Sequence, residues 1–163
     1  MHHFLATLTI LLAITGCGGA DTAAPEAPPT GATEPAETQA ANEPESALTA
    51  ITLTIGSQSF AATLIDTDAA QALTEQFPLT LPMSEMNGNE KYFYLNGSLP
   101  TDPETPGQIA AGDILLYGGD CLVLFYESLQ STYQYTRLGS VDDPAGLAEA
   151  LGAGNATVVW ALA

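Results

Sequence analysis

Alternation of apolar and polar positions begins at Ile51. Ile51, Leu53 and Ile55 alternate with Thr52 and Thr54, the pattern of a strand with one buried face. Gly56-Ser57 marks a tight turn, and Phe60, Ala62 and Leu64 resume the alternation, which predicts a hairpin. The period then lengthens. Asp66 stands where a helix cap belongs, and Ala69, Ala70, Leu73 and Phe77 fall on one helical face before Pro78 ends it. Residues 79–81 predict a short strand before Pro82, residues 83–90 a loop turning at Asn87-Gly88, and residues 91–95 a strand. Residues 96–107 hold three prolines and read as a long loop. Residues 113–117 and 121–126 predict a second hairpin around Gly118-Gly119-Asp120, and residues 133–141 a further strand. Asp143-Pro144 predicts a helix start, Leu147 and Leu151 stack one turn apart, and Gly152 closes the helix. Residues 156–162, with Trp160, form the last strand.

Eight strands joined largely by hairpins predict a mainly β, antiparallel fold. Packed into about 115 residues, they point to a closed eight-stranded barrel with a filled interior, its open ends capped by two short helices. A sandwich is the alternative. Residues 112–141 hold four of the six tyrosines and the one arginine, and form the centre of the sheet.

The chain upstream has a different grammar. The apolar run 4–14 is the length of a signal-peptide core and too short to span a bilayer. Ile14-Thr15-Gly16-Cys17 then resembles the lipobox of bacterial lipoproteins: small residues suit the peptidase, and the Cys17 thiol takes a diacylglycerol. Histidines stand where such leaders usually carry Lys or Arg. Residues 18–47 contain five prolines, six acidic residues and no aromatic residue. Such a segment buries too little apolar surface to offset its ordering entropy, so a disordered tether is expected. The domains expected are therefore a signal peptide (1–16), a lipidated cysteine with its tether (17–47) and a barrel (48–163).

Charge narrows the function classes. Two basic residues face nineteen acidic ones. That balance repels phosphate backbones, which argues against nucleic-acid binding. Both histidines, His2 and His3, precede the barrel, so histidine-based triads are excluded from it. Cys121, in an apolar strand, reads as an inert small hydrophobe, and Gly118-Gly119 precedes no helix that would cradle phosphate. The oxygen-rich loop 85–90 lacks calcium-loop spacing. No metal, cofactor or catalytic residue is assigned.

Two groups remain as candidate ligand-binding residues. Asn87, Glu90, Lys91 and Tyr92 lie on a loop and the strand that follows it. Tyr133, Tyr135 and Arg137 are spaced to share one face of a strand, where a guanidinium beside two phenol rings can hold an anionic group. The structural reading of Arg137, an ion pair to Asp142, Asp143 or Glu90, stands ahead of the ligand-binding one.

The blocks Asn87–Leu95, Gly112–Tyr126 and Tyr135–Leu147, with the loop ending in Pro106-Gly107, resemble the cyclophilin-like-fold family of small bacterial proteins. The resemblance covers nearly all of residues 51–160. It implies an eight-stranded antiparallel barrel with two capping helices. It does not carry prolyl isomerase activity across: there is no Phe-His-Arg segment, Arg137 stands in a different local motif, and Trp160 falls in the last strand. The expectation is an envelope protein held at the membrane by a lipid on Cys17, facing outside the cytoplasm. Its barrel would be a non-catalytic module that binds a peptide, protein or small ligand; a divergent prolyl isomerase or folding factor is the alternative.

Overall fold

The computed structural model describes residues 48–163; the signal-peptide, Cys17 and tether assignments lie outside the described residues. In chain order the elements are β1 (Thr49–Ile55), β2 (Gln58–Leu64), α1 (Asp68–Thr74), β3 (Leu79–Met86), β4 (Glu90–Tyr94) and β5 (Gly107–Ile109). They continue with β6 (Asp113–Tyr117), β7 (Cys121–Phe125), β8 (Leu129–Ser131), β9 (Tyr135–Val141), α2 (Leu147–Leu151) and β10 (Ala156–Leu162).

Eight strands close an antiparallel barrel in the order β1-β10-β3-β4-β7-β6-β9-β2. Closure leaves the barrel itself no open sheet edge. The inward set along each strand follows the period of two: Ile51, Leu53 and Ile55 on β1, Leu122 and Leu124 on β7, Val158 and Trp160 on β10. Both helices add to this core, α1 through Ala69, Ala70 and Leu73, α2 through Leu147 and Leu151. At Gly139 a Cβ would stand 2.2 Å from the Thr63 carbonyl oxygen, so β2 and β9 approach as closely as they do only because the residue is glycine.

Strands β5 and β8 pair with each other outside the barrel. Ile109 and Leu129 from this ribbon pack on the outward side chains Leu115, Cys121, Val123, Phe125 and Tyr135. Strand β7 is therefore buried on both faces. Neither ribbon strand was expected; each has three residues, too few to show a period.

Other boundaries differ from expectation for identifiable reasons. Strand β3 runs through Pro82 to Met86 where a loop was expected. Its ladder with β4 starts only at Ser84, so at Pro82 the strand is paired to β10 alone, a setting that tolerates proline. Thr67, not Asp66, caps α1, with the Ala70 N–H donating to Oγ1 at 3.3 Å; Asp66 instead accepts from the Gln71 side chain at 2.6 Å. Asp143 accepts from the Ala145 N–H at 3.0 Å and makes a turn, while α2 begins after Gly146. Strand β9 starts at Tyr135, leaving Tyr133 in the preceding bend.

Candidate functional site

The β3–β4 hairpin turns at Asn87 and Gly88, both at positive φ (57° and 74°), the geometry that Asn-Gly adopts at least cost. From there β4 sends Glu90, Tyr92 and Tyr94 outward and Lys91 and Phe93 inward. This alternation decides which residues can meet a ligand.

On the outside, Glu90, Tyr92 and Tyr94 face a groove of about 470 Å³ between the barrel wall and the β8 side of the ribbon. Cys121 and Val123 of β7 also line it, as do Leu129, Gln130 and Ser131 of β8, and Tyr117, Tyr133 and Tyr135 complete it. The rings brace one another edge to face: Tyr92 and Tyr94 lie 5.8 Å apart between centroids, Tyr117 and Tyr133 6.2 Å. Tyr117 and Tyr135, paired across β6 and β9, stand 5.5 Å apart, and Phe125 backs Tyr135 at 5.9 Å. A second cleft adjoins the first along Tyr117, Thr132 and Tyr133 and continues over Ser98, Leu99 and Gly119.

The groove gathers exposed apolar surface. Tyr94, Tyr117 and Tyr133 are 59%, 46% and 65% exposed, and with Met86 they make four of the six exposed large hydrophobic residues in the described chain. Scattered surface apolar residues need no explanation; four on one groove make it the candidate contact surface.

The charged residue in its lining is Glu90. Burial, then repulsion by Glu85, pushes the Glu90 carboxyl up. Burial, then Asp120 and Glu90, pushes the Cys121 thiol up to about 11, so it stays protonated and unreactive near neutral pH. Tyr135 rises chiefly by burial, then by Glu90. Asn89 Oδ1, in the groove wall, is buried with no hydrogen-bond partner.

The two cations are engaged elsewhere. Lys91 is fully buried and donates to Glu85 and to the carbonyl oxygens of Gly152 (2.7 Å) and Gly154 (2.6 Å), with its Nζ 4.9 Å from the Tyr126 ring centroid. Three donors thus meet three acceptors. Tyr126 O–H also donates to the Glu85 carboxylate at 2.8 Å. Burial pushes Glu85 up, but these bonds and the Gly88 N–H outweigh it and hold its carboxyl below the ordinary value. Tyr126 is pushed up to about 12 by burial and by that bond to Glu85. Arg137 pairs with Asp113 at 3.4 Å and does not line the groove.

Of the sequence candidates, then, Asn87, Glu90, Tyr92, Tyr133 and Tyr135 come together at one groove. Lys91 faces the barrel interior, and Arg137 stands outside the groove with Asp113 as its partner rather than Asp142, Asp143 or Glu90. Tyr94 and Tyr117 also line the groove and were not among the candidates. Tyr94 follows Tyr92 at the same-face spacing of two, which was a usable signal; Tyr117 enters through its pairing with Tyr135, visible only in the register.

Among the described residues no three His, Cys, Asp or Glu side chains converge to hold a metal ion. No curated protein matches the chain. The family model for the cyclophilin-like family matches residues 53–161, covering all but the first and last few residues of the barrel. With its closed eight-stranded barrel and two helices, the chain belongs to the cyclophilin-like family.

Proposed function

We propose that this protein is a lipid-anchored module of the bacterial cell envelope, held through Cys17, whose cyclophilin-like barrel binds a peptide or small ligand without catalysing a reaction. The observation that carries the binding role is the gathering of four exposed apolar side chains, three of them tyrosines, on one groove. Tyrosine rings supply large contact area with few rotamers to immobilise, which suits recognition. The non-catalytic reading is supported by a groove whose thiol stays protonated and whose lining includes neither Arg137 nor any histidine. The anchor reading is supported by Ile14-Thr15-Gly16-Cys17 after an apolar run, followed by a Pro- and Glu-rich stretch suited to hold a domain off a membrane.

The test has two arms. The full chain is assayed for isomerisation of proline-containing peptides and for peptide binding. Binding that Tyr133→Ala abolishes, with no rate enhancement, fits the proposal; isomerisation lost on Tyr133→Ala overturns the non-catalytic role. In cells, Cys17→Ser should move the protein from the membrane fraction to the soluble one, and unchanged membrane retention overturns the anchor.

A further inference from the structure

We propose that the occupant of the groove is an extended peptide presenting an arginine or lysine side chain, seated on the tyrosine faces with Glu90 as its counter-ion. This rests on the groove being a binding site and names what it selects.

Three observations carry it. First, Glu90 is a half-buried carboxylate with no cation beside it: Lys91 is turned into the barrel against Glu85, and Arg137 is paired with Asp113. A carboxylate partly removed from water and left unpaired gains from any cation brought to it. Second, the surrounding rings are tyrosines, whose π faces attract ammonium and guanidinium groups within about 6 Å. Third, Asn89 of the same wall carries a buried Oδ1 without a donor, so the polar groups next to Glu90 are not all satisfied within the barrel. Thirteen acidic side chains against two basic ones in residues 48–163 extend this local preference over the whole surface and steer cations inward. The same field disfavours phosphates and carboxylates.

Shape selects a peptide over an isolated amine. The groove is open and shares Tyr117, Thr132 and Tyr133 with the second cleft, so a chain seated there has a neighbouring cleft to extend into.

The test is calorimetric titration of the full chain, at low salt, with three probes: a capped hexapeptide carrying one central arginine, the same peptide with neutral citrulline, and arginine amide. The arginine peptide should bind at least about tenfold more tightly than the citrulline peptide. Glu90→Gln should erase most of that preference. Equal binding of the two peptides would overturn the cationic selectivity while leaving the groove a binding site. Arginine amide binding as tightly as the peptide would overturn the peptide assignment. Binding of neither peptide, or binding indifferent to Tyr133→Ala, would sink the groove reading itself.

Discussion

The two faces of β4 use charge in opposite ways. Inward, Lys91 is fully buried, and each of its three protons has an acceptor, two of them backbone oxygens just beyond α2. That arrangement ties the β3–β4 hairpin to the segment before β10 and leaves the ammonium nothing to offer a ligand. Outward and one residue away, Glu90 has no cationic partner and lines the same groove as three exposed tyrosines. A charge satisfied by its own fold is structural; a charge the fold leaves unsatisfied beside an open groove is available for recognition. Residue type does not separate the two. Position within the period of two does.

That contrast is most severely tested by removing the inward charge. Lys91→Ala leaves Glu85 without its cation and two carbonyl oxygens without a donor, and should lower stability by about 3 kcal/mol in chemical denaturation. A loss below about 1 kcal/mol would mean that the buried lysine does not hold the barrel end together.

Tyr133→Ala should do the reverse. It lies 65% exposed, so stability should stay within about 0.5 kcal/mol of wild type, while peptide binding is lost. A large stability loss would make Tyr133 a structural residue and erase the distinction.

The two glutamates sharpen the comparison through pH. Glu85 has a folded-state pKa below its ordinary 4.5, so its contribution is complete above that value and is lost as pH falls through the lower, folded one. Glu90 is raised above 4.5, so it costs stability as pH rises from the unfolded value through the folded one. Glu85→Gln should therefore destabilise near neutral pH, with the gap closing in acid. Glu90→Gln should stabilise slightly near neutral pH and be silent in acid. Denaturation midpoints across that range check both signs, and two changes of the same sign would break the contrast.

The barrel was legible because its strands alternate and are separated by Gly, Asn and Pro turns. The β5–β8 ribbon was not, since three-residue strands carry no period. Its one trace was the unbroken apolar run Cys121–Phe125: a strand without alternation needs cover on both faces, and the ribbon supplies the second. Pro82 hid the length of β3 because its tolerance depends on which neighbour is absent there. The groove was half legible. Nearness along the chain groups Asn87, Glu90 and Tyr92 but also draws in Lys91, although alternation puts Lys91 on the opposite face. Spacing groups Tyr133 and Tyr135 with Arg137, but the strand starts only at Tyr135. Asp113, the true partner of Arg137, is 24 residues away in sequence and meets it only in the folded sheet.

The central claim is that the outward face of β4 receives a ligand and the inward face does not. Chemical-shift mapping of the full chain titrated with the capped arginine hexapeptide tests it directly. The account predicts that resonances of Glu90, Tyr94, Tyr117 and Tyr133 move together while those of Lys91 and Trp160 stay still. Shifts that spare the groove, or that centre on the barrel interior, would contradict it.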